Sequence, residues 1–98
     1  MVRLEILVKI EPENRFEFTQ TFEFIMKLNH RPRNCIGQML FEKVEESNTF
    51  LWVEDWKTAE SLEAHKEGQR FRSMLGAVNV LGSLIKQWNL TLKEGEST

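Results

Sequence analysis

The stretch 49–68, TFLWVEDWKTAESLEAHKEG, runs from a strand into a helix, and its alternation organises the reading of the whole chain. Phe50, Trp52, Glu54 and Trp56 take every second position, with Leu51, Val53 and Asp55 between them. Successive side chains of a strand point to opposite faces, so the two sets lie on opposite sides of a sheet. Trp52 and Trp56 then share a face, with Cα atoms roughly 13 Å apart at about 3.3 Å per residue. Thr58 is placed to cap a short helix that runs to about Glu67 and carries His65, and Gly68 breaks it. The tryptophans form either ordinary core or the wall of a ligand pocket.

Working outward, "ESN" at 46–48 supplies turn residues, and 35–45 reads as the partner strand of a hairpin. Its alternation sets Ile36, Leu40 and Val44 against Cys35, Met39 and Phe41. Residues 2–10 alternate cleanly, with Val2, Leu4, Ile6, Val8 and Ile10 on one face. Pro12 suits the first turn of a helix that continues to about Leu28, with Glu13 near its positive end. Phe18, Phe22, Ile25 and Met26 fall on one side of that helix, whereas Phe16 and Phe24 fall off it. The segment "NHRPRN" ends it, because a residue before proline avoids the helical region. A further helix from about Gln69 to Leu81 carries Phe71, Leu75, Val78 and Leu81 on one face and stops at Gly82. Residues 83–93 form the last strand, with Leu84, Trp88, Leu90 and Leu92 set against Ile85.

The order strand, helix, strand, strand, helix, strand predicts an α+β chain of the ferredoxin-like split βαβ type, with a four-stranded antiparallel sheet and helices on one face. One domain over 1–94 is expected, with a frayed tail at 95–98. The net charge of -2 is spread along the chain, which gives no basic patch for nucleic acid. Arg3, Glu5 and Lys9 interrupt the apolar start, which reads against a signal segment or a membrane span. A single cysteine, Cys35, closes no intrachain disulfide, so a reducing cytoplasmic compartment is expected. His30 and His65 have no metal-ligand spacing to Cys35, so no structural metal is expected.

Helices can cover only one face of such a sheet, yet both faces are apolar. Leu51, Val53, Met39 and Phe41 fall on the face away from the tryptophans. A homodimer whose sheets pack face to face would cover them. Scattered exposed apolar residues on a monomer are the alternative.

The chain resembles the antibiotic-biosynthesis-monooxygenase family over about residues 3–92. The resemblance is carried by "IEP" before the first helix, "PRNCIGQML" into the second strand, "FLWVEDWKTAESLEAH" and "RFRSMLG". Members often show a proline–glycine–cysteine turn; here Arg33 and Asn34 separate Pro32 from Cys35. Trp52, Asp55 and Trp56 can be placed on an aromatic–x–x–acidic–tryptophan pattern. The resemblance implies a dimeric α+β barrel with a pocket between sheet and helices in each subunit. Oxygenase members convert phenolic or quinol substrates to quinones with oxygen, without metal or flavin. Other members degrade haem, one branch isomerises a small phosphorylated diketone, and some bind ligands only.

Within that resemblance, Trp56 matches a pocket-lining tryptophan able to stack on a flat substrate. Trp52 falls where some oxygenase members carry a polar residue. His65 matches a frequent histidine and would be a base or relay, or else a helix-end charge. Phe71 and Arg72 are further substrate-binding candidates, Arg72 as a partner for an anion. Glu54 shares the tryptophan face, where burial would raise its pKa and fit it as a base; a paired rim charge is the other reading. The haem-degrading branch uses a first-strand asparagine and an axial histidine after the Phe71 position. Leu75 stands where that histidine would be, and the first strand has no asparagine, so no haem is expected. No glycine-rich phosphate loop suggests a flavin or nucleotide cofactor. The resulting expectation is a cofactor-independent monooxygenase that takes a small aromatic molecule and O2, with no nucleic-acid or membrane partner. A ligand-binding or stress-response protein is the second reading. An isomerase of a phosphorylated carbonyl compound is the third, and would need a basic phosphate site.

Overall fold

Alternation along β1 (Val2–Ile10) puts Leu4, Ile6, Val8 and Ile10 on one face, and all four are buried. In the computed structural model, which describes residues 1–28 and 32–92 of the chain, β1 lies inside a four-stranded sheet. The other strands are β2 (Cys35–Glu42), β3 (Thr49–Trp56) and β4 (Gly82–Thr91), in the order β2-β3-β1-β4, and every neighbouring pair is antiparallel. The helices are α1 (Arg15–Leu28), α2 (Ala59–Lys66) and α3 (Gln69–Leu81). This is the ferredoxin-like α+β arrangement expected from the element order.

Local chemistry starts and stops the elements. Pro12 sits in a single 3-10 turn, Pro12–Asn14, that leads into α1. Thr58 Oγ1 accepts the Ser61 N–H at 3.1 Å and so caps α2. At Gly82, where α3 passes into β4, a Cβ would lie 2.0 Å from the Lys9 carbonyl oxygen. The crossing of β4 over the end of β1 therefore leaves no room for a side chain. Phe18 of α1 is buried, while Phe16 and Phe24 are exposed, as their helical phase requires. On α3 the buried set is Phe71, Met74, Val78 and Leu81; Leu75 is only half-buried, so the face is rotated slightly from the expected one. The residues of "NHRPRN" up to Arg31, His30 among them, lie outside the described residues.

The hairpin departs from the simple alternation in two ways. Strand β2 ends at Glu42 rather than 45, because Arg15 of α1 grips the Glu42 carboxylate and Asn48 donates its backbone N–H to it at 2.8 Å. Asn48 itself takes a left-handed φ of 67°, which asparagine tolerates, and Val44 is left in solvent. The register also shifts between Cys35 and Gly37. Cys35 consequently pairs with Trp56 on the helix-covered face, and Ile36 turns outward. This corrects the expected grouping of Cys35 with Met39 and Phe41.

A second register shift lies between Leu7 and Val8 against β4. It separates Leu84, which pairs with Val8, from Trp88 and Leu90, which pair with Glu5 and Arg3 on the opposite face. The expected single face of Leu84, Trp88 and Leu90 is therefore split. The face away from the helices carries Leu7, Met39, Phe41, Leu51, Val53, Trp88 and Leu90, around a two-bond Arg3–Asp55 pair at 2.7 and 3.1 Å.

The close approach at Gly82 gives a direct test. Gly82→Ala should force β4 off β1 and destabilise the fold by about 1–3 kcal/mol, the usual range for overpacking. A lowered urea midpoint with an unchanged slope is the expected result.

Candidate active site

The face of β3 toward the helices presents Phe50, Trp52, Glu54 and Trp56, and all four are buried. A carboxylate at 1% exposure among aromatic rings needs hydrogen-bond partners, and Glu54 has them on both oxygens. Oε2 accepts from Gln38 Nε2 at 2.8 Å and from Trp52 Nε1 at 3.0 Å. Oε1 accepts from Trp56 Nε1 at 3.2 Å and lies 3.2 Å from His65 Nε2. Burial pushes the Glu54 pKa up, and this is the largest single influence. The contacts from His65, Gln38 and Trp52 outweigh it together, so the carboxyl sits below the usual range. The expected upward shift is therefore reversed. Glu54 is also not a rim charge but the polar centre of the core.

His65 comes from the last turn of α2, held by the Thr58 cap at the helix start. Its side chain is 10% exposed, not turned to solvent. The ring lies over Trp56, with centroids 4.6 Å apart, and meets Phe71 edge-on at 5.6 Å. Phe22 of α1 packs edge-on against Trp52 at 4.7 Å.

Beside this cluster is a small cavity of about 20 Å³, lined by Ile25, Gln38, Trp52, Glu54, His65, Arg70, Phe71 and Met74. That is room for about one water molecule. The structure thus brings Trp52, Glu54, His65 and Phe71 to one space. Trp56 lies behind His65, sealed at 1% exposure. Arg72 is exposed on α3 and outside the lining; Arg70 stands at the rim instead. Gln38, Arg70 and Met74 are not among the residues that the sequence singles out, and Ile25 stands out there only as part of the apolar face of α1. Gln38 does carry a signal toward the site: it is a polar residue opposite Glu54 in the hairpin register. Among the described residues, no group of three or more His, Cys, Asp or Glu side chains is arranged to hold a metal ion. Among the same residues, no helix is long and apolar enough to cross a membrane.

An antiparallel sheet with three helices on one face and a polar knot beneath them defines an α+β protein of ferredoxin-like architecture. The description of the antibiotic biosynthesis monooxygenase family matches residues 1–76, and the chain belongs to that family. It is 31% identical over 75 residues to "Putative monooxygenase YcnE" of Bacillus subtilis (strain 168), an alignment covering 76% of this chain and 79% of that protein. Its fold superposes with a TM-score of 0.85 on the crystal structure of a "putative antibiotic biosynthesis monooxygenase" from Deinococcus radiodurans, at 18% identity and 97% and 95% coverage of the two chains. A conserved protein from Methanosarcina mazei Go1 gives a TM-score of 0.82 at 17% identity, covering 94% of this chain and 92% of that one. At such identities these structures speak to the fold alone.

The depressed Glu54 pKa carries a pH signature. The folded chain binds this proton less readily than the unfolded chain, whose carboxyl titrates near pH 4.3. The stabilisation is complete above that pH and is lost as pH falls through the lower folded value. Denaturation series from pH 7 to pH 3 should show this loss. In Glu54→Gln, stability at pH 7 should be lower by about 1–3 kcal/mol, because an amide cannot accept from all these donors. Its decline with acid should be shallower than that of the parent chain.

Proposed function

We propose that the chain is a cofactor-independent monooxygenase of small phenolic, quinol or other aromatic molecules. The observation that supports this best is His65 held between Trp56 and Phe71 at the edge of an aromatic-walled cavity, 3.2 Å from a buried carboxylate. The arrangement suits proton removal from a flat apolar substrate. His65 takes a proton from the substrate, the O–H of a phenol or quinol or the activated C–H of an anthrone, and the electron pair stays on the ring system as a delocalised anion. That anion reduces O2 and bonds to it, giving a peroxide. Protonation of the peroxide, loss of the hydrogen still on the carbon that bonded oxygen and cleavage of the O–O bond release water and leave a carbonyl. One O2 and two substrate hydrogens are consumed, and one oxygen atom stays in the product.

Glu54 is unsuited to be the base, since its oxygens are occupied and its proton affinity is low. Trp52 and Phe71 supply the flat walls, with Trp56 behind the histidine as its support. Arg70, at the rim, replaces Arg72 as the partner for a developing anion. A cavity of about 20 Å³ holds no aromatic ring, so binding requires Ile25 of α1 to part from Phe71 and Met74 of α3. Methionine adapts readily to such a change.

The same reading includes a homodimer through the uncovered sheet face. Met39, Phe41, Leu51, Trp88 and Leu90 would contribute the contact. Val53 shares that face but is already only 3% exposed within the chain, so it adds little. A groove of about 370 Å³, with Leu7, Phe41, Leu51 and Trp88 in its lining beside Glu5, Glu42, Lys43 and Thr49, offers a seat for a second copy.

Two measurements test these statements. Oxygen uptake with a quinol or an anthrone, in the presence of chelator, should depend on the protein. His65→Ala should lower turnover by roughly 10²–10⁴-fold, the usual weight of a general base. No uptake with any such substrate, alongside binding of flat aromatics, would turn the reading toward a ligand-binding protein. Sedimentation at micromolar concentration should give twice the chain mass, and Phe41→Glu should give a monomer.

A further inference from the structure

The carboxylate of Glu54 is oriented before His65 meets it. Trp52 and Trp56 stand two residues to either side of it on the same strand, and their indole N–H groups reach one oxygen each. Gln38 from β2 adds a third donor at 2.8 Å. An indole nitrogen can only donate, so both oxygens are committed as acceptors whatever the imidazole does. An ionised carboxylate carries no proton of its own. For the His65 nitrogen that lies 3.2 Å from Oε1, Nε2, to bond that oxygen, it has to be the one bearing hydrogen. The Trp56 face and the Phe71 edge hold the plane of the ring, at 35° and 68° to their own.

We propose that Glu54 is a positioning residue that keeps His65 as the Nε2–H tautomer, so that Nδ1 is the atom that receives the substrate's proton. The last step rests on the oxygenase reading; the tautomer does not. When Nδ1 takes the proton, the substrate keeps the electron pair, and the imidazolium forms 3.2 Å from a carboxylate that stays ionised throughout. Glu54 thus acts through His65 and receives no proton. The charged groups around the ring come from three directions. Glu54 faces it from β3, and Arg70 stands at the cavity rim on α3. Lys66, next along α2, is engaged by Glu63 at 3.5 Å. Gln38 of β2 is neutral, and the other residues lining the same cavity, Ile25, Trp52, Phe71 and Met74, carry no charge. Of these, only Glu54 is an acceptor shown within reach of Nε2. A Glu54 present merely to satisfy the tryptophans would leave the tautomer of His65 indifferent to its replacement.

Nitrogen-15 spectra of the imidazole ring in the full chain, at a pH where the ring is neutral, decide the matter. The parent protein should show a protonated Nε2 and a bare Nδ1. Glu54→Gln should give a mixture of tautomers or the reverse one. With an oxidisable quinol, its kcat should fall on the order of 10²–10⁴-fold while KM changes little, as when the acidic partner of a catalytic histidine is neutralised. Native circular dichroism should accompany that loss. An Nδ1–H tautomer in the parent protein overturns the proposal without any variant, so a poorly folding Glu54→Gln does not shield it. An unchanged tautomer in a folded Glu54→Gln also overturns it. If the tautomer behaves as stated but no substrate consumes oxygen, the positioning role stands and the oxygenase reading falls.

Discussion

A negative charge at the centre of a small apolar core is the constraint around which this structure is arranged. Removing a carboxylate from water costs several kcal/mol unless hydrogen bonds replace the lost hydration. Here the replacement comes from four groups on three elements: Trp52 and Trp56 of β3, Gln38 of β2 and His65 of α2. The contacts require the hairpin to be in register and α2 to be docked. They also convert two large aromatic residues from plain filler into donors with a fixed orientation. With every donor in place, the charge defines one arrangement of the core; with one missing, a buried ion is left short of a partner.

The two sheet faces answer different demands. The helix-covered face is closed over β1 and β3, with the Glu54 cluster between the sheet and α2. The other face has its own polar centre, the bidentate Arg3–Asp55 pair, set among apolar side chains. Asp55 is already 7% exposed in the single chain, so its pairing is settled before any partner arrives. Two adjacent acidic residues on one strand therefore serve opposite faces, each held differently: Asp55 by an arginine, Glu54 by neutral donors and a histidine. At the far end of the hairpin, Arg15 ties Glu42 to α1, and the Glu42 pKa falls to about 2 through that contact and the Asn48 N–H. This clamp ends β2 early and lets the turn carry Val44 into solvent.

The chemistry of the cavity follows from the same constraint. Glu54 has both oxygens engaged, and the imidazole of His65 meets it at the edge of the cavity. Because the aromatic rings pack against that imidazole, the space beside it is small. The cavity is thus nearly filled by its own walls. Ile25 and Met74 line it from different helices, while the β3 side is held by the carboxylate network.

Much of the fold was legible in the chain alone, because it is written in local patterns. The strict alternation of β1, the phase of Phe18 against Phe16 and Phe24, the Thr58 cap and the stop at Gly82 each depend on a few neighbouring residues. The shared face of Trp52, Glu54 and Trp56 follows from the period of a strand. What the tertiary structure decided depends on partners distant in sequence. The register shifts at Cys35–Gly37 and Leu7–Val8 belong to pairs of strands, so one strand's alternation could not reveal them. Arg70 and not Arg72 reaches the cavity because two residues turn a helix by about 200°, and the docking of α3 sets which side faces the sheet. The pKa of Glu54 moved down and not up for the same reason. Burial is implied by the position on the strand, but the compensating donors come from β2 and α2, and only folding brings them within 3.2 Å.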